Sequence, residues 1–244
     1  PRVAKRHLRG LRIGITKEYF GQGLDADVQK IIYGTIDMCE KEGAIAKEIT
    51  LPHSSYALPA YYIIVSSEVS SNLARYDGMR YGAHAGKHFK QETANLIEVY
   101  AKTRAIGFGA EVKRRIMLGT FVLSAGYYDA YYLKAQRVRA LIKEDFDRAF
   151  KDVDVIMGPA TPSPAFKLRE KMEDPMAMYL TDIYTVAINL AGIPAIAIPA
   201  GNVERDGSSL PVGLQIIAPR MEEQLLFDIG KEIEKMILEK ENFT

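Results

Sequence analysis

Two residues of opposite charge offer the clearest starting point for chemistry. Asp182 is the only charge in the otherwise apolar stretch TDIYTVAINLAGIPAIAIPAG at 181–201. Arg115 ends the run Lys113-Arg114-Arg115 just after a predicted helix start. A free amino acid carries a carboxylate and an ammonium. Binding it selectively takes one cation and one anion, and a guanidinium suits a bidentate carboxylate contact. Arg115 and Asp182 can form that pair. Plainer readings stand beside this one, because most Arg and Asp residues are surface charges and Thr181 or Asp182 can cap a helix.

Other chemistries find less support. The sequence has no G-x-S-x-G, H-E-x-x-H, C-x-x-C or Walker loop. The serine pairs Ser66-Ser67 and Ser70-Ser71 lie in a predicted helix without the sharp glycine-flanked turn that exposes a nucleophile. They read as serines facing a helix neighbour or water. His84 and His88 have i, i+4 spacing that suits a metal. No carboxylate or cysteine accompanies them and Gly86 weakens the helix, so no metal site is predicted; His7 and His53 stand alone. Gly21 and Gly23 follow a strand too late, and without the third glycine of a dinucleotide fingerprint. The single cysteine, Cys39, reads as a small core residue.

The elements that would position Arg115 and Asp182 follow from periodicity. Residues 11–15 and 44–51 are strand candidates. Between them Val28, Ile31, Ile32, Thr35, Ile36 and Cys39 mark one face of a helix that begins at Asp25 or Asp27 and closes at Gly43. Residues 60–74 form a helix with Tyr61, Ile64 or Val65, and Val69 toward the core. Residues 83–92 read as a polar loop and 95–103 as a short helix. Gly107-Phe108-Gly109 opens the helix that carries Glu111 and the three cations, and Gly119 interrupts it.

One long helix is then predicted over 120–150, its stripe formed by Val122, Ala125, Tyr132, Ala135, Val138, Ile142, Phe146 and Ala149. Tyr127, Tyr128 and Tyr131 are expected to join that stripe. Residues 153–157 form a strand that leaves into a proline-bound loop, and 167–174 is a charged excursion. Ile183, Val186, Ala187, Leu190 and Ala191 give an apolar helix face stopped by Gly192. A short buried strand at 195–198 ends at Pro199 and Gly201, and 210–218 runs antiparallel to it. A last helix over 222–240 points Leu225 or Leu226, Ile229, Ile233 and Ile237 inward. This order of strands and helices predicts an α/β fold.

The 244 residues are 48% hydrophobic and 26% charged, with a formal net charge of +1. That is enough apolar content for a sizeable core, and no overall basic field points to nucleic acid. No apolar run approaches the roughly 20 residues of a membrane span. Cys39 alone fits a reducing compartment. The basic start, residues 1–10, reads as a connection from an amino-terminal half that is missing here.

Several segments carry a resemblance. SSEVSSNLARYDGMRYG, GFGAEVKRRIMLGTFVLSAGYYDAYYLKAQRVR, DVDVIMGPATPSPAF and DIYTVAINLAGIPAIAIPAGN followed by PVGLQIIA occur in order through nearly the whole chain. They resemble the A subunits of aspartyl/glutamyl-tRNA amidotransferases, in the amidase signature family. The resemblance implies a mixed central β-sheet flanked by helices, with 11–244 the carboxyl-terminal part of a single domain. It implies a cytoplasmic glutaminase that supplies ammonia for converting Glu-tRNA(Gln) or Asp-tRNA(Asn) to the amide. Its partners would be B and C subunits and, through the complex, charged tRNA; ATP and Mg²⁺ would serve the B subunit. The glutamine-gripping residues would be Tyr61, Arg115 for the α-carboxylate and Asp182 for the α-amine.

The family's Ser–cis-Ser–Lys triad has no counterpart here, so the chain is expected to carry a substrate-gripping wall without a nucleophile and to be inactive alone. Strands that pair with the missing half would be exposed edges. Two other readings stay open. One is the same part of another amidase signature hydrolase; the other is a fragment that only docks other subunits.

Overall fold

The computed structural model describes residues 8–168, 170 and 175–241. The basic start up to His7, and residues 169 and 171–174 of the charged excursion, lie outside the described residues. In chain order the main elements are β1 (Arg12–Thr16), α1 (Ala26–Lys41), β2 (Ile45–Ile49), α2 (Ala57–Leu73), α3 (Ala85–Phe89), α4 (Leu96–Gly107) and α5 (Ala110–Val122). A π-helical turn (Tyr128–Leu133) leads into α6 (Lys134–Ala149). There follow β3 (Val155–Pro159), α7 (Pro175–Tyr179), α8 (Val186–Ala191), β4 (Ala195–Arg205), β5 (Ser208–Ile217) and α9 (Glu223–Glu241). The chain divides into two compact units. A sheet unit comprises Pro1–Leu58 and Val138–Thr244; a helical unit comprises Pro59–Arg137.

The sheet unit holds one five-stranded mixed sheet in the order β2-β1-β3-β5-β4. β1 runs parallel to β2 and β3, while β5 is antiparallel to β3 and β4. Side chains alternate across a strand. Ile13, Val155, Met157, Leu214 and Ile216 share one apolar cluster with Val28, Ile32 and Ile36 of α1 and Leu226, Ile229 and Ile233 of α9. The predicted faces of both helices are the buried ones. Asp25 caps α1 by accepting from the backbone N–H groups of Asp27 and Val28. Gly43 takes a φ of +94° just past the helix end. Cys39 is fully buried, and burial pushes its thiol up to about 12.

Several expectations fail for identifiable reasons. The strand expected to end at Pro199 and Gly201 continues to Arg205, because a register shift between those residues absorbs the irregularity. Gly201 there has a φ of +144°, a backbone conformation that glycine adopts readily. The long helix expected over 120–150 is broken. α5 ends at Val122, the Ser124 hydroxyl donates to the Phe121 carbonyl, and Gly126 turns the chain with a φ of +87°. Residues 85–89, expected as loop, form α3 because the His84 ring caps them.

Gly119 does not interrupt its helix. It lies inside α5, buried, where an added Cβ would overlap the Ser66 backbone. Tyr127, Tyr128 and Tyr131 are exposed rather than in a core stripe, and Phe121 packs on Tyr127 at 4.2 Å between centroids. Among the described residues no helix is long and apolar enough to cross a membrane.

Candidate functional site

In the helical unit, Arg115 is positioned by the meeting of α2 and α5. Gly109 opens α5 and Glu111 lies in its first turn, where a carboxylate suits the positive end of the helix dipole. Residues three and four apart share a helix face. Glu111 uses both neighbours. Its Oε1 accepts from Arg115 Nε at 2.9 Å, and its Oε2 accepts from Arg114 Nη1. On the other side, Arg115 Cζ lies 5.3 Å from the centroid of the Tyr62 ring, a cation–π distance. Tyr62 meets the Tyr61 ring edge-on at 5.2 Å.

The helices come this close because small residues line the seam. Tyr62 and Ser66 on α2, four apart, face Arg115 and Gly119 on α5, also four apart. One turn further, the Ser70 and Thr120 hydroxyls bond at 2.9 Å. The buried Ser67 hydroxyl donates to the Ile63 carbonyl at 2.8 Å, and the buried Ser66 hydroxyl finds no partner among the described residues.

The resulting electrostatics favour a permanent cation. Burial alone lowers the pKa of the Arg115 guanidinium. The Glu111 hydrogen bond and charge, helped by Tyr62 and Tyr61, outweigh that and hold it above its ordinary value. The side chain is 27% exposed. Its Nε–H is engaged by Glu111, and among the described residues nothing accepts from Nη1 or Nη2. The guanidinium thus offers an end-on pair of donors, which matches a carboxylate.

Asp182 belongs to the sheet unit and ends the short turn Leu180–Asp182. Its backbone carbonyl accepts from the Thr185 amide at 3.0 Å and the Thr185 hydroxyl at 3.1 Å. The N-cap of α8 is Thr185, so neither Thr181 nor Asp182 caps that helix. The Asp182 side chain is exposed and hydrogen-bonds to no group among the described residues. Tyr61 and Arg115 are thus brought together by the helical unit, while Asp182 is presented by the other unit.

The histidines among the described residues are engaged by the fold. His53 does not stand alone. Its backbone N–H donates to Asp145 at 2.8 Å and its ring Nδ1 lies 3.0 Å from the same buried carboxylate. His84 Nδ1 accepts from the amides of Gly86 and Lys87, and His88 Nδ1 accepts from the His84 amide. The Nδ1 of each ring is thereby engaged by backbone. Among the described residues no group of three or more His, Cys, Asp or Glu could hold a metal. A hollow of about 870 Å³ opens between α1 and β4, with Asp27, Lys30 and Arg205 in its lining. Arg205 is already paired there with Asp25 and Asp27.

Sequence reasoning does not single out Glu111 or Tyr62 as site residues. A signal for Glu111 exists in its i, i+3 and i, i+4 spacing to two arginines. Nothing local marks Tyr62 over Tyr61, because the choice depends on a helix partner distant in sequence.

The chain is similar to known proteins over most of its length. Residues 2–227 match the Amidase family model. The chain is 55% identical over 228 residues to the A subunit of the glutamyl-tRNA(Gln) amidotransferase of Carboxydothermus hydrogenoformans, covering 93% of this chain and 45% of the relative. It is 55% identical over 222 residues to the protein of the same name from Coxiella burnetii, covering 91% of this chain and 44% of that relative. It also resembles the solved A subunit of the Thermotoga maritima glutamyl-tRNA(Gln) amidotransferase, with a TM-score of 0.67 and 33% identity, covering 93% of this chain and 43% of that one. An amidase crystal structure at 18% identity and a TM-score of 0.69, covering 95% of this chain and 46% of that one, shares the fold. The chain thus spans less than half the length of the curated relatives it matches. With a mixed sheet flanked by helices and a family match across most of its length, the chain belongs to the amidase signature family.

Proposed function

We propose that this chain is the carboxyl-terminal part of the glutamine-hydrolysing A subunit of a tRNA-dependent amidotransferase. In this reading glutamine is held through Tyr61, Arg115 and Asp182. Arg115 takes the α-carboxylate and Asp182 the α-ammonium. The Ser–cis-Ser–Lys triad that attacks the side-chain amide lies in an amino-terminal part outside this sequence. The released ammonia passes to a B subunit, which is assembled with a C subunit. There ATP and Mg²⁺ serve the conversion of Glu-tRNA(Gln) or Asp-tRNA(Asn) to the amide, in the cytoplasm.

The observation that carries this reading is the 55% identity, over 93% of the chain, to a relative named as the A subunit of a glutamyl-tRNA(Gln) amidotransferase. The chemistry agrees with it. A zwitterionic substrate needs both a fixed cation and an anion. Arg115 is a partly buried cation with two donor nitrogens unengaged among the described residues, and Asp182 is an exposed carboxylate. A simple amide has no zwitterion to match.

The test is ammonia release from glutamine by the purified chain, alone and after addition of the amino-terminal part. The expected result is no release alone and release restored by the complement. Release by the chain alone would overturn the placement of the nucleophile outside it.

A further inference from the structure

We propose that Glu111 is a positioning residue which fixes the direction from which Arg115 accepts a carboxylate. The inference rests on the glutaminase reading and deepens it.

A guanidinium can grip a carboxylate in two ways. Side-on binding uses Nε–H and one Nη–H; end-on binding uses one N–H from each Nη. Glu111 Oε1 occupies Nε–H at 2.9 Å, which removes the side-on mode and leaves the end-on one. The carboxylate is itself held, because its second oxygen is taken by Arg114 Nη1. Glu111 therefore cannot swing away without breaking two charge-assisted bonds. The Tyr62 ring, 5.3 Å from Arg115 Cζ, covers one face of the guanidinium and limits its rotation. Gly119 and Ser66, one turn along, set the distance between the helices that carry these groups.

The consequence is directional. With the guanidinium edge fixed, the α-carboxylate of an amino acid has one approach, and the side-chain amide is carried to a defined place. A Glu111 variant keeps the cation and loses its orientation. It should weaken recognition of the α-carboxylate specifically, not the handling of amides in general.

The experiment compares glutamine with 4-aminobutanamide, which is glutamine without its α-carboxylate, in the complete subunit carrying Arg115→Ala, Glu111→Ala or Glu111→Gln. The readout is the ratio of kcat/KM for the two substrates. Arg115→Ala should lower it most. Glu111→Ala should lower it about tenfold, through the KM for glutamine, as expected for loss of a charge-assisted contact. Glu111→Gln retains an oxygen that can accept from Nε and should recover part of the loss.

Three results would overturn the proposal in distinguishable ways. If Arg115→Ala lowers the ratio and Glu111→Ala leaves it within about twofold, the positioning role is wrong and the glutaminase reading stands. If Arg115→Ala itself leaves the ratio unchanged, the assignment of Arg115 to the α-carboxylate falls. If Glu111→Ala reduces turnover of both substrates equally, with a lowered melting temperature, Glu111 only stabilises α5.

Discussion

The interior of the sheet unit and that of the helical unit are built from different kinds of contact. In the sheet unit the interior is made of large branched side chains. Ile13, Ile32, Leu214, Ile216, Ile229 and Ile233 are fully buried in one cluster. In the helical unit the buried residues include Ser66, Ser67, Thr103, Ala60, Ala85 and Gly119. Its long-range ties include bonds from side chain to backbone. The Ala85 amide donates to Thr103 Oγ1 at 3.0 Å, and Arg104 Nη1 donates to the Leu73 carbonyl at 2.8 Å. A core of large side chains secures stability through area removed from water. A seam of small residues contributes less area but fixes how closely two backbones approach. The second property is what a site needs when Arg115 must sit beside Tyr62 from another helix.

Substitutions of the two types separate these contributions. Leu214→Ala in the sheet unit should cost the most, about 4 kcal/mol, because transfer and cavity terms add at a fully buried leucine. Urea denaturation followed by circular dichroism measures it, and a loss under about 1 kcal/mol would mean that this cluster is not the main source of stability. Gly119→Ala should come next, at about 2 kcal/mol. It adds a single methyl, yet that methyl has no free space against the Ser66 backbone. A neutral result in the same assay would show that α2 and α5 separate easily, and would remove the argument that the seam fixes Arg115.

The same contrast explains what is legible in the sequence. The sheet unit is legible because large apolar side chains recur at the period of their element. Val28, Ile32, Ile36 and Cys39 on α1, and Leu226, Ile229 and Ile233 on α9, follow from periodicity alone. Charge in apolar surroundings marks Asp182 and a run of cations marks Arg115, whereas the support for Arg115 is marked only by the helical spacing of Glu111 and not at all at Tyr62. A glycine within a helical pattern reads as a break, and only a neighbouring helix shows that Gly119 is a point of contact. The opposite error arises at Gly126, where a continuous amphipathic pattern hides a turn. The His53–Asp145 pair is invisible in sequence because the two residues are 92 positions apart, and no periodicity links a loop to a helix at that distance.

The smallest expected effect concerns the start of α1, where the sheet unit relies on a polar contact as the helical unit does. The Asp25 carboxylate accepts from the amides of Asp27 at 2.9 Å and Val28 at 3.2 Å, and from Arg205 Nη2 at 3.0 Å. Desolvation raises its pKa, but the Val28 amide, Arg205 and the Asp27 amide together outweigh this and hold it below the ordinary value. A carboxylate with a depressed folded pKa stabilises fully above its unfolded pKa, near about 3.9, and loses that contribution as pH falls through the folded value. Asp25→Ala removes cap and charge and should cost about 1 kcal/mol at about pH 6. Asp25→Asn keeps a capping oxygen and should cost less. The difference between wild type and Asp25→Asn should shrink as the pH is lowered from about 6 to about 3, because below the unfolded pKa unfolding is coupled to proton uptake by Asp25. Urea midpoints at the two pH values decide it. A difference independent of pH would mean that the Asp25 charge adds nothing to the cap, and that the contact with Arg205 is an exposed ion pair without weight.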